Sequence, residues 1–511
     1  MAIAANSVVI QWILFLWRGL LGLWRGSAIG RWCRRAEKAV RKSAGNSAVC
    51  RFAARDGVIL RAWPESVLCR AVGAVVNIPC ALFKWIYKIS RGLWEGSVAF
   101  RALSALGGVA WLPLGLVLLV MLCVPHGRWN NTYGFLGVVL VTILFLVGCM
   151  NRIRQRLQVE RLGPYMVLYA GFIFYGLAAS LSTSLSMRFF IFHVTCVLIV
   201  LLMVSSIKRT SQLQLMIALV GAGLLLAALY GCYQGYIGVD VVASQQDLTL
   251  NADMPGRIYS FFDNPNNFAE ILVMLVPLML ALLINARTFG GKFLALVTLG
   301  VSVAAIGFTY SRSGWIGLML AIVLFFAFWN WRLVPVLIVV GIIAIPFLPE
   351  SIYNRVLTIG NMEDSSTRYR FSIWQSTGRL LKDYGWRGVG LGNDVMKRVF
   401  ELYPPMRDGN YPIHTHNNYL QMWAEVGFLG LLAYLGTILG QLKAGVKAFV
   451  QSTDRRLKVL LSAAVSALCG ILVISLAEYT WFYPRNMFLF WFLFGVIAVC
   501  VKIARTQEET K

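Results

Sequence analysis

Apolar runs recur along most of the chain, each about the length needed to cross a bilayer, and short polar links separate them. The pattern predicts spans at roughly 102–124, 133–150, 163–182, 189–207, 213–236 and 267–285, then at 292–310, 314–330, 333–349, 418–439, 459–477 and 487–501. That makes about twelve helices of an all-α polytopic membrane protein. In the pair 314–330 and 333–349, Trp331-Arg332 must serve as a tight turn. The apolar stretch Val8–Trp24 is interrupted by Arg18 and followed by no small-residue cleavage site, so it does not have the pattern of a signal peptide.

Three regions break the rhythm. Residues 1–101 hold sixteen Lys and Arg against four acids. They repeat Trp-x-x-Ser-x-x-x-Arg at Trp24/Ser27/Arg31, Trp63/Ser66/Arg70 and Trp94/Ser97/Arg101. Offsets of three and seven predict one helical face for each triplet, and thus amphipathic helices lying on the inner leaflet, Ala81–Ile89 among them; the alternative is a loosely ordered basic arm. Outer loops of about 237–266 and 350–415 are the other two, and a connection as long as the second is usually functional. In it, Asp364 or Ser365 can cap a helix with Tyr369, Ile373, Trp374, Thr377, Leu380 and Leu381 on a 3.6-residue period. The glycines of 385–392 end that helix, and a second runs from Asp394 to Leu402 before Pro404-Pro405. The domain plan is therefore a basic region 1–101, a membrane domain 102–503 that includes the loop 350–415, and a tail 504–511.

Charge orients this layout. The chain is 511 residues long, 58% hydrophobic and 14% charged, with a formal charge of +25. Soluble domains are typically about one-quarter charged, so the composition excludes an ordinary soluble enzyme; a nucleic-acid partner would also need an exposed polar surface that is mostly missing. With the N-terminus inside, the inner links carry Arg152, Arg154, Arg156 and Arg161, then Lys208 and Arg209, Arg287 and Lys292, Arg332, and Lys443 to Lys458. The outer links carry Arg128, Arg188, Arg257, Arg312 and Arg485, one apiece. Both termini are thus expected in the cytoplasm, with the basic region against anionic lipid. Ten cysteines occur without a Cys-x-x-Cys pair and with none in the loop 350–415, which points to neither zinc nor a disulfide framework.

Against that poor outer charge, a few residues stand out. Arg257 precedes a span, Arg312 sits in TYSRSGW at an outer lip, and Arg370 and Trp374 are one helical turn apart, so that the indole can carry or aim the guanidinium. His414 and His416 lie where the long loop re-enters the membrane. Converging arginines suit a diphosphate, which a guanidinium fork holds bidentately; each alone can instead snorkel to headgroups. Asn418, Gln421 and Glu425 share one face of the following helix, where Glu425 either hydrogen-bonds structurally or acts directly. His414 and His416 can form a metal pair, but no third ligand lies nearby in sequence, and a single histidine works better as a base or hydroxyl orienter.

In these positions the chain resembles the O-antigen ligase family. His416-Asn417, nine residues and Gly427-x-x-Gly430 are similar to its His-Asn-x9-Gly-x-x-Gly motif. Ser311-Arg312, Arg370-x-x-x-Trp374 with Gly388-Val-Gly390, and Arg257 with Asn264-Pro-Asn266 resemble further family segments. The resemblance covers about 257–430 by motif, and 102–503 by span layout; residues 1–101 lie outside it. It implies a membrane-glycosyltransferase bundle in a bacterial cytoplasmic membrane, with an extracytoplasmic active site. The implied reaction is inverting transfer of a glycan from undecaprenyl diphosphate to a hydroxyl of a glycan, lipid or protein acceptor, without metal or other cofactor. His416, Arg312 and Arg370 would be catalytic; Arg257, Trp374, Asn417, Glu425 and His414 would contact diphosphate or glycan. A polymerase that extends another lipid-linked glycan differs only in its acceptor. A flippase for such lipids would spread polar residues along a central path, and an anchoring protein would not need the outer arginines.

Overall fold

The computed structural model describes residues 58–242, 254–360, 365–405 and 411–509 continuously, with scattered positions before 58. Every regular element among them is helical. The chain divides into two compact units, Met1–Gly57 and Val58–Lys511. In the second, the principal helices are α1 (Val67–Val76), α2 (Ile78–Ile89), α3 (Val98–Gly108), α4 (Trp111–Cys123), α5 (Asn131–Met150) and α6 (Pro164–Ala178). They continue as α7 (Thr183–Ser206), α8 (Thr210–Ile237), α9 (Pro265–Asn285), α10 (Phe289–Phe308), α11 (Arg312–Asn330) and α12 (Val334–Ala344). The last are α13 (Glu350–Leu357), α14 (Ser365–Tyr384), α15 (Asn393–Leu402), α16 (Asn418–Gln451), α17 (Arg455–Ile474) and α18 (Pro484–Glu509).

Among the described residues nine helical segments are long and apolar enough to cross a membrane, or up to eleven with two bent pairs each taken as one span. The expected twelve are therefore not twelve full-length straight helices. The first, expected at 102–124, is α3 and α4 bent by 77°. Gly107-Gly108 weakens the helix there, and Pro113 falls in the first turn of α4, where no amide donor is required. The third is reduced to α6, fifteen residues long. The eighth and ninth form one apolar stretch, Arg312–Phe347. A straight 36-residue helix would run about 54 Å, yet the Tyr310 hydroxyl lies 2.9 Å from Ser351 Oγ and Arg312 donates to the Thr358 carbonyl at 2.9 Å. The chain therefore doubles back, and the 3-10 turn Trp331–Leu333 is where it does so.

The interior is built around α18, whose apolar residues face inward all round, as in a helix enclosed by others. α7, α16 and α17 pack on it, and α17 also packs on α9 and α11. Gly317 of α11 and Gly470 of α17 meet backbone to backbone; a β-carbon on Gly317 would lie 3.0 Å from the Gly470 carbonyl oxygen. Small residues allow such close approach where lipid supplies no hydrophobic drive between helices. α12 has no buried residue, although it is wholly apolar, which marks a surface that hydrocarbon must cover.

The connections sort to two ends. At one end Thr210 pairs with Asp454, Asn285 with the Arg456 carbonyl, and Lys502 with the carbonyls of Val204 and Ile207. At the other, Leu181 meets Val389, Arg188 meets Asp394, and Asn417 meets the Leu476 carbonyl. The long loop belongs to this second end. α14 and α15 bury Ile373, Leu380, Val395, Met396, Val399 and Phe400 in a small core of their own that includes Ala424 of α16. Both loop helices were expected; the Asp364 alternative for the cap lies outside the described residues.

The Trp-Ser-Arg repeat has a different basis from the one its spacing predicts. Ser66 and Ser97 have extended backbones and cap α1 and α3, accepting from Cys69 N and Phe100 N at 3.1 Å each. The helix begins at the serine, so Trp63 and Trp94 lie before it and the triplet does not share one continuous helical face. Ser27 accepts from Gly30 N in the same way, at 2.9 Å; Trp24 lies outside the described residues. α18 continues unbroken to Glu509, through the segment expected as a separate tail.

Candidate active site

His416 sits at the loop end of the bundle, in the turn that leads into α16. Its backbone is left-handed, with φ +49°. Asn417 makes that turn possible: its Oδ1 accepts from Tyr419 N and Leu420 N at 2.9 Å each, and its Nδ2 donates to the Leu476 carbonyl at 2.8 Å. A capping Asx residue thus starts the helix and ties it to the α17–α18 link. Asn418 N donates to the Ser475 carbonyl at 2.9 Å, a second tie to the same link.

That link carries the residue that organises the site, Glu478. Its side chain is 8% exposed. Oε1 accepts from an Arg370 guanidinium N–H and from Asn266 Nδ2 at 3.1 Å; Oε2 lies 3.4 Å from His416 Nδ1. Asn266 accepts in turn from Arg257 at 2.6 Å, and Arg257 Nε donates to the Thr309 carbonyl at 2.8 Å. Residues from five separate stretches of chain thus share one largely buried network. Arg257 is buried, so it is not a guanidinium reaching for headgroups.

The charged groups act on one another. Burial lowers Arg257 to about 9; Arg355, Arg312 and Arg370 push the same way and Glu478 opposes them. Arg257 is still charged at neutral pH. Burial would raise Glu478, but Arg370, His416 and Arg257 outweigh it and hold the carboxyl below its usual range. Glu478 thus sits against Arg370, His416 and Arg257, while Arg312 and Arg355 act on Arg257. Arg312 donates to Thr358 at the lip, and Arg355, itself buried, has its Nε 3.5 Å from the Tyr310 carbonyl.

Trp374 does not carry Arg370. The guanidinium goes to Glu478, while the indole N–H donates to the Thr415 carbonyl at 3.0 Å and so braces the approach to His416. His414 is buried, with its ring centroid 4.1 Å from that of His416. Its Nδ1 accepts from His416 N at 3.2 Å. Burial first, then His416 and Arg370, hold it well below the usual histidine value, so it is neutral at pH 7. Among the described residues, no three His, Cys, Asp or Glu side chains gather closely enough to hold a metal ion. Glu425 is not in the network. It is fully buried in α16, accepts from Gln421 at 2.7 Å and from the Tyr479 hydroxyl at 3.4 Å, and reaches the site through Tyr479, the neighbour of Glu478, and through Gln421, whose Oε1 accepts from Thr415 N at 2.9 Å.

The glycines around it hold the loop onto the bundle. α16 is kinked at Gly427, with φ +74°. The kink frees the Ala424 and Glu425 carbonyls, which accept from Val389 N at 2.8 Å and Gly390 N at 3.1 Å. A β-carbon on Gly388 would lie within 2.7 Å of Gly427 N, and one on Gly427 would strike the Trp386 carbonyl.

Four non-glycine residues have left-handed backbones among those described: Ser260, Asp263, Tyr310 and His416. Ser260 and Asp263 follow Arg257, Tyr310 precedes Arg312, and the fourth is His416 itself. Such strain collects where surrounding structure enforces it for function.

The sequence missed Glu478 and Arg355. An acid between two late spans, beside an arginine-rich mouth, was the available signal for Glu478. Arg355 had none beyond its place at the start of the long loop.

No curated protein matches the chain. Residues 297–435 match the family model described as O-Antigen ligase. The segment contains Arg312, Arg370, Trp374, His414, His416 and the Gly427 kink, while Arg257, Asn266 and Glu478 lie outside it. Over that segment the chain, a polytopic α-helical membrane protein, is similar to the O-antigen ligase family.

Proposed function

We propose that the protein transfers a glycan from undecaprenyl diphosphate to an acceptor hydroxyl at the extracytoplasmic face of a bacterial cytoplasmic membrane, with inversion. The convergence of Arg370, Arg257 and their neighbours Arg312 and Arg355 beside Glu478 and His416, at one mouth of the bundle, carries this reading. The acceptor oxygen attacks the anomeric carbon, the bond from that carbon to the diphosphate oxygen breaks, and the lipid diphosphate leaves with the electron pair. Arg312 and Arg370, with Arg257 and Arg355 behind them, stabilise the charge that develops there; this requires no divalent ion. His416 takes the proton. With its Nδ1–H directed at Glu478 Oε2, Nε2 is the basic nitrogen. Trp374, Asn417 and His414 hold that ring in place, and Glu425 supports the turn from behind.

Both termini then lie in the cytoplasm, with the Lys- and Arg-rich links, and the capped helices of the N-terminal region rest against anionic lipid. The acceptor belongs to a glycan, lipid or protein. The spacing of the histidine motif favours a ligase over a polymerase.

Incubating the purified protein, in vesicles, with an undecaprenyl-diphosphate-linked glycan and candidate acceptors tests the proposal. Wild type is expected to release the lipid diphosphate and to keep its rate after chelation. His416→Ala should lose roughly 100-fold or more, and Arg312→Lys and Arg370→Lys should be nearly inactive, because a point charge lacks the fork. Normal product from His416→Ala would remove the base; strict dependence on a divalent ion would remove the arginine mechanism.

A further inference from the structure

A second cavity opens at the same end of the bundle, with a volume of about 290 Å³. Phe482 is part of its wall, and the Phe482 ring centroid lies 4.7 Å from that of His414, whose ring in turn stands 4.1 Å from His416. Two rings therefore separate this space from the reactive histidine. Its charged lining is mixed: Asp263 and Asp394 face Arg188 and Lys397, with Arg188 and Asp394 paired at 2.7 Å. Phe189, Phe482 and Tyr483 supply flat apolar surface. Asn393, 7% exposed at the start of α15, also lines it, and its side-chain carbonyl oxygen is buried without a hydrogen-bond partner. A buried acceptor left unsatisfied costs stability unless a ligand supplies the donor.

This chemistry differs from that around Glu478. A diphosphate placed here would meet two carboxylates. A saccharide meets what it needs: its hydroxyls donate to the carboxylates of Asp263 and Asp394, accept from Lys397 and Arg188, and its C–H faces pack on aromatic rings. We propose that this cavity is a saccharide subsite, holding a sugar of the glycan chain beyond the one that reacts at His416. The assignment rests on the glycosyl-transfer reading for its purpose, though not for its binding chemistry. The sugar belongs to either the donor glycan or a glycan acceptor.

Binding is measured on the purified full-length protein by calorimetric titration with lipid-free oligosaccharides released from bacterial surface polysaccharide by mild acid. Wild type and His416→Ala are both expected to bind. Asn393→Ala and Lys397→Ala should each bind about tenfold more weakly with unchanged melting temperature, while Arg398→Ala, an exposed charge on the same helix, binds as wild type. Lys397 is exposed, so its variant tests the cavity even if Asn393→Ala fails to fold. No saccharide uptake by wild type, or wild-type affinity in Lys397→Ala, overturns the subsite. In turnover, a raised KM for acceptor alone in Lys397→Ala places the acceptor chain there; a raised KM for donor alone places the donor chain. Because His416→Ala retains the subsite, binding without transfer in wild type would count against the transferase reading and leave the cavity assignment standing.

Discussion

Glu478 is the side chain on which the arrangement turns, because its two oxygens serve different partners. One holds a guanidinium aimed at the proposed leaving group, and the other orients the proposed base. Glu478→Ala would take from Arg370 the carboxylate it is paired with, at a cost of about 3–5 kcal/mol. Glu478→Gln keeps the shape but withdraws the charge and the tautomer control, and transfer should fall by roughly 100- to 10,000-fold. Folding depresses this carboxyl below its unfolded value, so its contribution to stability is fully present above that unfolded value, about 4.3, and is lost as pH falls through the folded one. Melting temperature against pH is expected to drop more steeply below about pH 4.3 in wild type than in Glu478→Gln. Parallel curves would mean that the carboxylate is not held by the cations beside it.

Among the helices, α16 shows most directly how a short motif becomes geometry. The pair Gly427 and Gly430 looks in sequence like a family marker; in the fold, Gly427 is a left-handed break whose freed carbonyls receive the long loop. Gly427→Ala forces a side chain into that conformation and against the Trp386 carbonyl, for roughly 1–3 kcal/mol. Thermal unfolding should show the loss, and activity should fall with it, since α14 carries Arg370 on the docked loop; an unchanged melting temperature would mean that the kink is not needed for docking. The serines of the N-terminal repeat teach the complementary lesson. Their spacing was visible, but a Ser three residues after a Trp reads equally as a point on a helical face or as a cap, and only backbone angles distinguish the two. The bend between α3 and α4 was similarly hidden inside one apolar run.

Across the bundle, the links alternate between a basic end and the end that carries the candidate site, and the doubling back of Arg312–Phe347 keeps that alternation intact. Were the stretch one span, Arg312 and Thr358 would lie on opposite sides of the bilayer; they are hydrogen-bonded. On the proposed orientation, a membrane-impermeant maleimide applied to intact spheroplasts should label Lys382→Cys and not Arg287→Cys, each made in a chain whose ten native cysteines are replaced by serine. Labelling of Arg287→Cys alone would invert the topology and place the arginine cluster in the cytoplasm.

Helix positions, the alternation of polar links, the histidine and three of the four arginines were all legible along the chain, because apolar periodicity and the charge of a short link are local properties. Glu478 was not, nor was the unsatisfied Asn393 oxygen beside its cavity. Glu478 meets His416 across 62 residues of sequence and Arg370 across 108. Nothing local distinguishes it from any other acid at the end of a span. Which charges face each other follows from how the helices pack, and packing brings distant stretches together through shape and small-residue contacts that no single window of sequence contains.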